Sequence, residues 1–309
     1  MKINKLTKLI AVMGGATTSL TGSCLALNLT SCSNKEKTID EIANEYAKNF
    51  TLWYEKLTVN PDKEWFKHVD GSIDYEADAI MALTYYPGWE IWNGKCHENQ
   101  GDIPSQIWED KAKATAGIPS AEDWRDFNKQ ERYEWNINYG SYKTLENALK
   151  KSKCAPITTY HGFEYQEKEL LTQINQLLDL NQTSDFWKSI DNKQEFRKCD
   201  LSKLKDKVLN YDGFCCTSLN KDASFGFLDG DFAADYQNVV MYEIDIDENT
   251  YGGYVSDTNH LFYDRTLAWC NEYQIALANK LKLKVKDAYW TESPNNKNVL
   301  YLKVQGYHE

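Results

Sequence analysis

The chain has 309 residues, with 46 acidic side chains against 35 basic ones and a formal net charge of −11. That length allows one large domain, or a domain with a helical annex, and is enough to bury a sizeable core. The acidic balance argues against nucleic acid and anionic lipid surfaces as partners, because like charge repels them.

At the N-terminus, Lys2, Lys5 and Lys8 precede a charge-free stretch of apolar and small residues from Leu9 to Leu29. A basic start before an apolar run is the pattern of an export signal. The run is long enough to be weighed as a membrane span, but Gly, Thr, Ser and Asn dilute it. Its end favours a signal that is cut off. Leu29-Thr30-Ser31-Cys32 places an aliphatic residue and two small ones before a cysteine, and so resembles a bacterial lipobox. The resemblance implies a diacylglycerol on the Cys32 thiol and cleavage just before it. Cys24 has Thr21 where the aliphatic residue is needed, so Cys32 is preferred. Residues 1–31 are then a lipoprotein signal peptide and 32–37 a tether, with the protein exported and held on the outer face of the cell membrane. Cleavage leaves 278 residues and removes three lysines, which takes the charge to −14.

Thr38 and Glu41 form a capping box, and Ile39, Ile42, Ala43, Tyr46, Phe50, Trp53 and Leu57 keep helical spacing. Asn60-Pro61-Asp62 breaks that helix. Residues 62–118 give a possible helix at Ala77–Leu83, a turn at Pro87-Gly88 and then short loops. The reading takes 38–118 as a helical N-terminal region. From Ser120 the pattern is clearer. Helices are predicted from Ala121, over Ser141–Lys151, over Tyr165–Leu180 and over Asp200–Leu209. The period then changes to two. Strands are predicted at Phe214–Leu219, Asn238–Ile246, Tyr273–Leu277, Leu281–Val285 and Val299–Val304. Helices first and strands later indicate an α+β domain over 119–309.

Besides Cys32, six cysteines follow the cleavage point. None has C-x-x-C spacing, so a zinc site is not expected. Most are read as buried thiols, with adjacent Cys215 and Cys216 on opposite faces of a strand. Asp245, Asp247 and Asn249 look like the start of a calcium loop, but Thr250 and Ser256 stand where Gly and Glu are required. No metal is therefore expected. The 10 Trp and 20 Tyr are read mainly as core packing, with sugar-stacking platforms as the lesser alternative.

Four segments, in order, resemble the bacterial ADP-ribosyltransferase toxins of the arginine–serine–glutamate type. They are Trp124–Tyr133 with Tyr139–Leu149; Thr158–Phe163, where the family has a strand, Arg and Gly; Phe214–Leu219, where it has a Ser-Thr-Ser strand; and Asn271–Leu277, where it has a paired-glutamate strand. The resemblance implies a helical N-terminal part followed by a split β-sandwich core, with NAD as substrate and a protein as acceptor. Carried over residue by residue, it makes His161, Gly162 and Thr217 the NAD-binding positions and Ser218, Glu272 and Gln274 the catalytic ones. A carboxylate suits this chemistry because the ribose carbon becomes an oxocarbenium ion. The chain departs from the family at two places, with His161 for Arg and Gln274 for the catalytic Glu, and Cys216 replaces the first Ser. An amide has no net charge, so Glu272, two residues earlier and on the same strand face, is the alternative carboxylate. Three readings stand at this point: an active transferase lipoprotein, a degenerate relative that binds a protein or nucleotide, and an aromatic-rich adhesin or carbohydrate-binding lipoprotein.

Overall fold

The computed structural model describes residues 37–50, 57–58, 67–68, 76, 79–80, 83, 88–103, 139–164, 167–180, 184–229, 233–255 and 273–309. The signal sequence, Cys32, the helix expected from Ala121 and Glu272 lie outside these residues.

Four α-helices of ten residues or more stand in the first half of the described chain. They are α1 (Ile39–Phe50), α2 (Gly88–Glu98), α3 (Tyr139–Lys150) and α4 (Lys168–Leu177). Two-residue strands β1 (Leu57–Thr58) and β2 (Lys67–His68) pair with each other. The helical spacing predicts that Leu57 continues the first helix; it pairs instead with His68. The remaining strands are β3 (Ile157–Gly162), β4 (Val208–Tyr211), β5 (Cys215–Ser218), β6 (Asn238–Ile246), β7 (Gly252–Tyr254), β8 (Gln274–Leu277), β9 (Leu281–Glu292) and β10 (Asn298–Tyr307). Short α5 (Lys193–Arg197) and nine-residue α6 (Lys221–Asp229) follow in the second half. β6 has the expected bounds, and β5, β8, β9 and β10 overlap theirs. The helix α2 falls where short loops were read, because its buried Trp92, Asn93, Cys96 and His97 do not make an apolar stripe.

One predicted helix is corrected. Over Asp200–Leu209 the chain forms only a 3-10 turn at Leu201–Leu204, capped by Asp200, whose carboxylate accepts from Ser202 N at 3.1 Å. Asp206 then takes a left-handed φ of 62°, and Val208–Tyr211 pairs antiparallel with β9. Burial alternates exposed and buried along β4, the period of a strand. Pairing with β9 overrides the helical spacing of Leu201, Leu204 and Val208.

Strands β3–β10 form one sheet in the order β4-β9-β10-β6-β3-β5-β8-β7. Only β10 and β6 run parallel in it. β3 and β5 are joined by a single partner pair, Tyr160 with Ser218, so a five-stranded part and a three-stranded part meet at a narrow seam.

The three-stranded part is covered on both faces. Ile275 and Leu277 of β8 enter the main core, with Leu170, Leu171 and Ile174 of α4, Trp187, Phe196 and the inward residues of β6, β9 and β10. Ala276 and Ala278 enter a second core built by Trp92 and Cys96 of α2 and by Tyr142, Leu145, Ala148 and Leu149 of α3. Alanines on that side leave room for the two helices to sit close to the strand. Cys215 belongs to the main core and Cys216 packs against the second, the opposite-face arrangement expected of neighbours in a strand. The described Trp and Tyr side chains are largely interior: Trp92, Trp187, Tyr142, Tyr211, Tyr236, Tyr242 and Tyr301 are all fully buried. That fits core packing better than a sugar-stacking surface.

Candidate functional site

The seam between β3 and β5 brings the described ones among the expected site residues (His161, Gly162, Thr217, Ser218 and Gln274) near one another, on two different faces. Ser218 of β5 pairs with Tyr160 on one side and with Gln274 of β8 on the other. Partners directly opposite in a sheet project to the same face. Tyr160, Ser218 and Gln274 therefore form a row, which continues through Glu243 of β6 to Lys303 of β10. His161 and Thr217 are each one residue out of this row and face the main core.

Ser218 is held by a local turn. Asn220 N donates to its Oγ at 2.8 Å, and the Oγ donates to the Asn220 carbonyl at 3.1 Å. Helix α6 begins at the next residue. Its Ser224 Oγ donates to the Tyr160 carbonyl at 3.1 Å, and its backbone lies so close to Gly162 that a Cβ there would be 2.5 Å from the Ser224 carbonyl oxygen. Gly162 therefore serves helix–strand approach. Lys221 at the start of α6 places its Nζ 5.9 Å from the Tyr160 ring and 4.6 Å from the Tyr301 ring. Gln274 is half-buried, and its carbonyl accepts from Val255 N at 2.9 Å.

On the core face, Thr217 Oγ1 donates to the Ile275 carbonyl at 3.0 Å and lies 2.6 Å from Thr159 Oγ1, which binds β5 to both neighbours. His161 is 2% exposed, with both ring nitrogens engaged. Nδ1 is 2.8 Å from the Cys216 carbonyl, and Nε2 is 2.5 Å from Glu167 Oε1. Both contacts are acceptors, so the ring carries two protons. Burial alone would lower the His161 pKa, but the Glu167 carboxylate reverses this and holds it at about 9. Glu167 is held below the usual carboxylate range despite its burial, first by the His161 charge. The same Oε1 accepts from Tyr211 OH at 2.6 Å. His97 of α2 packs edge-on against Tyr211 at 5.1 Å, and among the described residues neither of its ring nitrogens has a hydrogen-bond partner. Burial pushes the His97 pKa down to about 4, with Glu167 opposing.

Sequence reasoning did not single out Glu167, Tyr211 or His97. Glu167 immediately precedes α4 and reads as an ordinary helix-start acid. Only the fold, by setting α4 behind β3, gives it His161 as partner. Among the described residues, no group of three or more His, Cys, Asp or Glu is arranged to hold a metal ion.

The family described as "ADP-ribosyltransferase exoenzyme" matches residues 127–305, more than half of the chain. No curated protein matches significantly. Among solved structures, the C3 exoenzyme of Clostridium limosum is similar at 15% identity, covering 86% of this chain and 94% of its own, with a TM-score of 0.45. The C3larvin toxin of Paenibacillus larvae is similar at 14%, covering 77% of this chain and 97% of its own, with a TM-score of 0.41. The Vis toxin of Vibrio splendidus, in a complex with agmatine, is similar at 12%, with 87% and 85% covered and a TM-score of 0.43. The matched span takes in the whole seam and every described residue of the row, and on that match the chain belongs to the ADP-ribosyltransferase exoenzyme family.

Proposed function

We propose that the protein is an exported lipoprotein, tethered through lipid on Cys32 to the outer face of the cell membrane, whose transferase domain takes NAD as substrate along the Ser218–Gln274 row. The single observation that carries the site reading is the register Tyr160–Ser218–Gln274 inside the span matched by the family. The lipobox-like Leu29–Cys32 supports the anchoring.

In this reading the bond between nicotinamide and ribose breaks and its electron pair leaves with nicotinamide. The ribose carbon, left as an oxocarbenium ion, is captured by an acceptor group of a protein. The Ser218 hydroxyl and Gln274 amide offer hydrogen bonds to sugar hydroxyls. Gln274 supplies no charge, so Glu272 is the carboxylate that stabilises the cation. Losing such a group typically costs on the order of 10²–10³ in rate. His161, Gly162 and Thr217 serve NAD from behind the strands: His161 and Thr217 brace β5, and Gly162 admits α6.

A specific observation favours a second reading. The His161 imidazolium is already neutralised by Glu167 and turned into the core. It therefore gives a dinucleotide phosphate less than an exposed arginine would. With Gln274 in place of a carboxylate, the domain would then bind a nucleotide or protein without turnover.

NAD consumption by the mature chain separates the readings when Glu272→Ala and Gln274→Glu are run beside it. Turnover that disappears in Glu272→Ala is the expected result for an active enzyme. Silence broken only by Gln274→Glu would indicate the disarmed relative. Silence in all three, with no NAD binding, would sink the NAD reading.

A further inference from the structure

The residue before Gln274 is held in an unusual way by the opposite end of the chain. Tyr273 has a φ of 49°, in the left-handed region. For a bulky L residue this conformation is strained and persists only when its surroundings impose it. Three contacts do so. Its carbonyl accepts from Leu219 N at 3.1 Å, its ring packs half-buried on the main core, and its hydroxyl donates to the Asp40 carboxylate of α1. The last contact joins residues 233 positions apart.

α1 is held at its start and at its middle. Its start is set by a reciprocal capping box: Thr38 N donates to Glu41 Oε2 at 2.8 Å, and Glu41 N to Thr38 Oγ1 at 3.2 Å. Its buried Tyr46 donates to the Ala155 carbonyl at 3.3 Å and packs edge-on against Tyr254 of β7 at 6.5 Å. Asp40 is thus presented from a seated helix.

We propose that α1 is a latch on the site: by accepting the Tyr273 hydroxyl, Asp40 holds that residue left-handed and so places Gln274 opposite Ser218. Asp40 and Tyr273 are positioning residues that act through Gln274. This rests on the proposed use of NAD at that row.

The test uses the full mature chain with Asp40→Ala, Tyr273→Phe and Asp40→Asn, reading NAD affinity and amide hydrogen exchange. The amides to follow are Leu219 N–H, bonded to Tyr273, and Val255 N–H, bonded to Gln274. Asp40→Ala and Tyr273→Phe are expected to speed exchange at both by about tenfold and to weaken NAD binding similarly, with β9 and β10 unchanged. Asp40→Asn keeps an acceptor oxygen and should stay near wild type. Unchanged exchange overturns the latch. Faster exchange with unchanged NAD affinity also overturns it, because the contact would then be structural only. Absence of NAD binding in the wild type is a different failure, that of the NAD reading itself.

Discussion

Glu167 accepts hydrogen bonds from two buried donors at one oxygen, and the consequences belong to single residues. Its partner His161 stays protonated because the carboxylate outweighs burial. Glu167→Gln would keep the shape and remove the charge, leaving a buried imidazolium uncompensated. A loss of about 3–5 kcal/mol is expected in urea unfolding. A change below about 1 kcal/mol would mean that solvent reaches the pair. The two histidines also set opposite pH limbs. His161 titrates at about 9 when folded against 6.5 otherwise. Its contribution is complete below 6.5 and is lost as pH rises toward 9. His97 titrates at about 4 when folded. The unfolded chain then binds more protons between 4 and 6.5, so stability falls as pH drops through that window. Melting temperature should peak near the histidine reference value, and His97→Leu should flatten only the acid limb. An acid limb unchanged in His97→Leu would refute its assignment.

At the scale of elements, the closest approach is α6 against β3. Gly162 leaves no Cβ, and the Ser224 carbonyl occupies that space. Gly162→Ala must push α6 away from Tyr160, a backbone movement that costs about 1–3 kcal/mol. Because α6 follows Ser218 by three residues, the same variant should disturb the Ser218 turn. Thermal unfolding with exchange at Asn220 N–H checks both effects. A wild-type melting temperature in Gly162→Ala would show that the helix has slack. The second core has a related role for elements: α2 and α3 hold the outer face of β8, so the strand carrying Gln274 lies between two packed layers.

For the whole molecule, the question is attachment. The chain is acidic, and the lipid on Cys32 proposed above would be a covalent way to keep it on an anionic surface that otherwise repels it. Cys32→Ala should move the protein from the membrane fraction to the medium or periplasm and abolish labelling by a radioactive fatty acid. Retention of Cys32→Ala on membranes would place the anchor elsewhere.

Some of this follows from sequence order alone. The alternation in Tyr242–Ile246, after the β-branched start of the same strand, marks it as a strand, because period two cannot be served by a helix. The adjacent cysteines lie on opposite faces for the same local reason. The ordered segments from Trp124 to Leu277 point to the family, whose match spans 127–305. Other features depend on partners distant in the chain. Asp200–Leu209 has helical spacing but becomes a 3-10 turn and a strand, because β9 is there to pair with it. Helix α2 has no apolar stripe to reveal it, because polar Asn93 and His97 share its buried side; Asn93 bonds both backbone groups of Phe214, 121 residues away. Which face His161 takes is decided by sheet register, and its charge by a carboxylate that α4 brings behind it. Local sequence specifies period and turn, whereas burial and pairing across the seam arise only when the chain closes on itself.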